Sequence, residues 1–233
     1  MDKIEKNKFF LFIGYQKFIF SILDNNNQDL FEKEFPISEI SLEKIYDPLE
    51  QFLDQNVIEL EKKFKYYIKE INLILDINEF VNVKISTTNN FNYLSHQLDN
   101  NSNYLFNIKN DVMKNMQGYD LIHMIIKKYL VDGKEYPSMP TDNIQKNVYL
   151  EIQFILSKHE ITQKLKKIFS KYQILVKNIS CFNYVNSFKK SDLSNIFDLS
   201  DKLSNGYNQK EIIFLNKTRK NIGFFEKFFN FFR

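Results

Sequence analysis

Asp120-Leu-Ile-His-Met-Ile-Ile-Lys-Lys-Tyr-Leu-Val-Asp-Gly133 is followed, after a loop holding Pro137 and Pro140, by Val148-Tyr-Leu-Glu-Ile-Gln-Phe-Ile-Leu156. Both runs are dominated by Ile, Leu, Val, Tyr and Phe, and Asp132-Gly133 has turn chemistry. They predict two long strands, Leu121–Val131 and Val148–Ser157, in one sheet. His123, inside the apolar stretch Leu121–Ile126, is expected to be a partly buried imidazole with satisfied nitrogens rather than a metal ligand.

Downstream, Ile161, Leu165, Ile168 and Phe169 have helical spacing and predict a helix near Ile161–Tyr172, followed by a strand Ile174–Phe182. Residues 188–216, rich in Ser, Asp and Asn from Lys189 to Gln209, are expected to form a flexible linker. Upstream, Phe9–Ile13 and Lys17–Leu23 predict strands around a turn at Gly14, with a third at Leu30–Ile37. Asp47-Pro48 has the form of an N-cap followed by a first-turn proline. The set Leu49, Phe52, Leu53, Val57, Leu60, Phe64, Tyr67 and Ile68 then predicts a helix. Ile71–Leu75 and Phe80–Ile85 predict strands, Asn89–Asn103 a loop, and Lys109–Gln117 a helix. The expected fold class is α/β, with two small sheet-and-helix lobes at 1–89 and 90–187, the linker, and an amphipathic helix at 217–233.

That last segment, Asn221 apart, separates into two faces on a helical wheel. Ile222, Phe224, Phe225, Phe228, Phe229, Phe231 and Phe232 fall on one half; Arg219, Lys220, Lys227 and Arg233 fall on the other with Glu226 and Asn230. The segment carries a net charge of +4, so residues 1–216 are close to −1. A bulky apolar face with a basic polar face, too short to span a bilayer, predicts an in-plane helix on an anionic membrane. Burial of each Phe contributes roughly 1.5–3 kcal/mol at most, and each basic residue near an anionic leaflet about 1 kcal/mol. Anionic inner-membrane lipids are therefore an expected partner.

The chain of 233 residues is 43% hydrophobic and can bury a substantial core. It has no alanine and only two arginines, a bias toward Asn, Ile, Lys, Phe and Tyr that carries little functional information. Its 32 basic and 29 acidic residues nearly balance, so the lysines are not a nucleic-acid footprint. A lone cysteine, Cys181, excludes a disulfide framework. The apolar stretch Phe9–Leu23 is interrupted by Gln16 and Lys17 and lacks a signal peptide's basic leader and small-residue cleavage site. His96, His123, His159 and Cys181 have no close metal-ligand spacing, and no nucleophile motif is present. No catalytic, cofactor-binding or metal residues are expected, and no enzyme class.

The order of these segments resembles the bacterial cell-division protein FtsA, an actin homologue. Phe12-Ile-Gly-Tyr-Gln-Lys17 sits where that family has its first phosphate turn, usually Asp-Ile-Gly-Thr-Ser-Lys. The run Asp120–Gly133, Pro140 and Val148–Leu156 is similar to the strand, turn, proline and return strand of FtsA's inserted 1C subdomain. Asn178–Phe188 resembles its return to the actin core, and 217–233 its membrane-targeting helix. By this resemblance residues 1–89 are a degenerate 1A-like lobe and 90–187 a 1C-like lobe.

The departures matter too. Phe12 stands in place of the metal-handling acid, and nothing between Ser187 and the tail corresponds to the family's second half. Five glycines are too few for two phosphate-cradling loops. The resemblance thus implies a reduced, non-enzymatic adaptor without nucleotide binding, on the cytoplasmic face of the inner membrane at the division site. It implies divisome partners such as the cytoplasmic segment of FtsN, with FtsZ binding and self-association left open. Two alternatives stay open: an adaptor of another inner-membrane machine, such as the FtsA-like PilM of pilus assembly, and a degenerate actin-fold ATP-binding protein.

Overall fold

In β1 (Lys8–Gly14) the alternate residues Phe9, Leu11 and Ile13 point to one side and Phe10 and Phe12 to the other, and all five are buried. A strand that is apolar on both faces belongs inside a sheet covered on both sides. The computed structural model, which describes residues 7–38, 44–90, 98–131, 133–136, 147–190 and 195–214, places it there. The first sheet has the order β3-β2-β1-β4-β9, with β2 (Lys17–Leu23), β3 (Asp29–Pro36), β4 (Glu70–Asp76) and β9 (Leu175–Cys181). The β1–β2 and β2–β3 pairs are antiparallel; β4 pairs parallel with both β1 and β9.

One face is covered by α1 (Tyr46–Phe64) and α3 (His159–Ser170), through Leu49, Phe52, Leu53, Leu165, Ile168 and Phe169. On the other, Phe10, Phe12 and Ile74 meet Phe197 and Phe182, from α5 (Ile196–Ser204) and α4 (Phe182–Asn186). The helix α1 starts two residues earlier than the Asp47-Pro48 pair implied. Ile45 is its N-cap, so Pro48 is the third helical residue, where its missing N–H leaves no intrahelical bond unmade.

Between β4 and α3 the chain builds a second sheet, ordered β5-β8-β6-β7 and antiparallel throughout. Its strands are β5 (Val81–Asn90), β6 (Tyr119–Val131), β7 (Lys134–Tyr136) and β8 (Asn147–Lys158). Met124, Ile126, Leu150, Ile152 and Phe154 share one of its faces and one core with Ile108 of α2 (Leu98–Asn115). Gly133 has φ +75, a left-handed value suited to the short β6–β7 connection.

This topology moves the expected lobe boundaries. β5 pairs with β8 and so belongs to the second sheet, whereas α3 and β9 return to the first. The inserted unit is therefore bracketed by Val81 and Lys158 rather than by residues 90 and 187. The loop expected at Asn89–Asn103 is overlapped at both ends, by β5 up to Asn90 and by α2 from Leu98.

The larger correction concerns residues 188–216, expected as a linker. They hold α5, whose Phe197, Leu199 and Leu203 are buried. Asn195 caps this helix, its side-chain oxygen accepting from the N–H of Phe197 at 2.7 Å and of Asp198 at 3.3 Å.

Asp120, at the start of β6, ties the inserted sheet to the N-terminal turn of α3 by accepting from His159 at 2.9 Å and from the Thr162 hydroxyl. Burial pushes its carboxyl up, but those hydrogen bonds, with the charges of His159 and Lys166, outweigh burial and hold it below its ordinary value. A carboxylate with a depressed pKa in the folded state contributes stability above its unfolded pKa of ~3.9 and loses it as pH falls through the folded value. Asp120→Asn is expected to destabilise the chain by about 0.5–1 kcal/mol near neutral pH, discounted because the group is partly exposed. In urea unfolding the difference from wild type should close as pH drops below about 4.

Candidate functional site

The two sheets meet along a hydrophobic seam in which Ile125 and Ile155 of the inserted sheet pack with Cys181, Tyr184, Val185, Leu199 and Leu203. Beside it is an open cleft of about 560 Å³, lined among others by Phe80, Asn82, Gln153, Tyr184, Phe188 and Asn208. Its walls mix amide side chains with aromatic rings, chemistry suited to a peptide backbone and its side chains. Lys127 and Lys210 also line it.

A polar network is built into the seam. His123 Nδ1 lies 2.7 Å from Glu211 Oε1, and both side chains are more than nine-tenths buried. The Nε2 atom accepts the backbone N–H of Cys181 at 3.1 Å, so the ring proton sits on Nδ1 and is donated to Glu211. Tyr184 donates its hydroxyl to Glu211 Oε2 at 2.6 Å and accepts from Asn208 at 2.9 Å. Burial, then the Glu211 carboxylate, push the Tyr184 hydroxyl far above its ordinary value, so it remains a donor. His123 is thus a satisfied core imidazole. Glu211, its partner, and Asn208, which donates to Tyr184, lie in the stretch expected to be linker.

The network fastens residues 208–214 to the outer edge of β6. Ile126 donates its N–H to the Lys210 carbonyl and Ile212 donates to the Met124 carbonyl, both at 2.8 Å. Phe214 then packs at 6.1 Å on the ring of Phe106, with Lys109 over it. The residues expected to bind membrane, Arg219, Lys220, Ile222, Phe224, Phe225, Lys227, Phe228, Phe229, Phe231, Phe232 and Arg233, lie outside the described residues.

At the β1–β2 turn, the Phe12 ring packs edge-on to Phe182 at 5.3 Å and lies against Gly14, where a Cβ would come within 2.9 Å of it. Gly14 is explained by that approach of an aromatic ring. No cluster of metal-ligating side chains occurs among the described residues, and no described helix is long and apolar enough to cross a membrane.

No family model matches the chain, and no curated protein matches it. Among solved structures it is similar to a chain of the PilM–PilN type IV pilus biogenesis complex, with TM-score 0.50 and 10% identity over 88% of this chain. The fold is actin-like. This chain spans about half of that one, 52% of its length. A weaker likeness, TM-score 0.37 at 8% identity, joins 80% of this chain to 61% of the cytoplasmic domain of EpsL, an inner-membrane component of the type II secretion system of Vibrio cholerae. The likeness to the pilus-complex chain carries the α/β class and the actin-like part of the resemblance; it does not single out FtsA.

Proposed function

We propose that this protein is a non-enzymatic adaptor at the cytoplasmic face of a bacterial inner membrane, holding a partner protein in the cleft between its sheets. The observation that carries this reading is the inter-sheet cleft of an actin-like body, in a fold like that of PilM in its complex with PilN. Phe12 and Phe182 fill the position at the β1–β2 turn where a phosphate would need open backbone N–H groups, which supports a role without nucleotide. The basic aromatic residues of 217–233 would tether the body to anionic lipid.

The machine proposed first is of the pilus-assembly or secretion kind. A division-site adaptor is the second reading, favoured by the order of the segments resembling FtsA and by the basic tail. FtsN-type segments would be its partners. Imaging an amino-terminally tagged chain in its own cells separates the two. The first reading predicts peripheral foci away from midcell that are lost when residues 215–233 are removed. A midcell band would favour the second, and a uniform interior signal with and without residues 215–233 would contradict the tether.

A further inference from the structure

Sheet edges with unpaired backbone groups recruit other strands unless they are blunted by charge, proline, bulges or a cover. Among the described residues, three of the four sheet edges are treated in that way. β3 carries Glu32, Lys33, Glu34 and Pro36. β9 bears Lys177 and joins β4 through a register irregularity. The outer edge of β6 is occupied by residues 210–212 and, further along, by β7.

The fourth edge, β5, is not blunted. It is ten residues long, pairs with β8 in unbroken register from Val81↔Leu156 to Asn90↔Asn147, and has no proline and a single charge, Lys84. Among the described residues no strand pairs with its outer side. Val81, Val83 and Ile85, which face the α2 core, are only partly buried.

We propose that β5 pairs antiparallel with β5 of a second copy of this chain, joining the two inserted sheets about a two-fold axis at Ile85. The sequence is self-complementary in that register. Ile85 meets Ile85 and Val83 meets Thr87 on the α2 side, covering the partly exposed apolar residues. On the other side Lys84 meets Ser86. A shift of the axis to Lys84 would set two lysines against each other, which cross-strand pairing disfavours.

The neighbouring strand supplies the charge complement. Ser86 is paired on its inner side with Glu151 of β8. Across the axis, Lys84 of one copy therefore lies two strands, about 10 Å between backbones, from Glu151 of the other, with only a serine between them. On its other side Glu151 stands opposite Lys128 of β6, but the Lys128 ammonium reaches Glu135 at 3.4 Å instead, and among the described residues neither Lys84 nor Glu151 forms an ion pair. A long lysine and a glutamate can close that gap over Ser86.

Sedimentation velocity of the full chain, from micromolar to sub-millimolar concentration, tests the pairing. The wild type is expected to dimerise reversibly. Ser86→Lys, an exposed change that leaves each copy folded, sets like charges opposite twice per dimer and should weaken it about tenfold, equivalent to about 1.4 kcal/mol. Lys84→Glu added to Ser86→Lys should restore it. A chain that stays monomeric at every concentration would overturn the proposal and leave the edge to a strand of another protein. A dimer indifferent to both variants would overturn it by placing the contact elsewhere.

Discussion

Phe197→Ala is expected to destabilise this protein by about 3–5 kcal/mol, the range for deleting a buried phenylalanine ring. Phe197 is 1% exposed and its ring sits 5.9 Å from that of Phe10 in the central strand. The helix around it is held at several points: Asn195 caps it, Lys8 pairs with Asp201 at 2.8 Å, and Asn27 donates to Asp198 at 2.8 Å. None of these can close over the volume of a lost ring, because they fix the helix where it is. In thermal unfolding the midpoint should fall by about 10 °C for a chain of this size. A change within about 0.5 kcal/mol, typical of an exposed site, would mean that residues 195–204 are a linker after all.

Glu211→Ala should have an effect of similar size, about 2–6 kcal/mol, by a different route. It removes the one acceptor shared by the His123 ring N–H and the Tyr184 hydroxyl, leaving two buried donors orphaned at roughly 1–3 kcal/mol each. Combined with Tyr184→Phe the losses should be less than additive, since that variant removes one of the orphaned donors. The structural signature is local. Once Glu211 no longer pins residues 208–214, the amides of Ile126 and Ile212 should exchange faster, with the strands of the first sheet unaffected. Unchanged protection at those two amides would show that the strap does not depend on the network.

Much of the fold was legible because its long elements carry strong local patterns. The strands β6 and β8 and the helices α1 and α3 announce themselves through β-branched runs or helical spacing, and each is close to where the sequence puts it. What was not legible is non-local or diluted. β5 has the sequence of a strand, but nothing in Val81–Asn90 says that its partner is β8, some seventy residues on, rather than a strand of the first sheet. In α5 the apolar residues Ile196, Phe197, Leu199 and Leu203 are spaced for a helix, yet Ser, Asp and Asn around them match the composition of a linker. Asn195 before Ile196 was the available cue, an N-cap residue directly ahead of a short apolar stripe. The candidate site shows the same division. His123 was placed as a satisfied imidazole from its apolar strand, but Glu211 is 88 residues away and no local pattern connects them.

Flotation with lipid vesicles bears most directly on the central claim, that an actin-like body without nucleotide is carried to a membrane by its aromatic, basic end. Purified full chain and a chain ending at Phe214, which retains every described element, would be mixed with anionic or with neutral vesicles. The account predicts that the full chain floats with anionic vesicles and only weakly with neutral ones, that salt weakens the binding, and that the shortened chain stays behind. Equal flotation of both chains, or none of either, would contradict it.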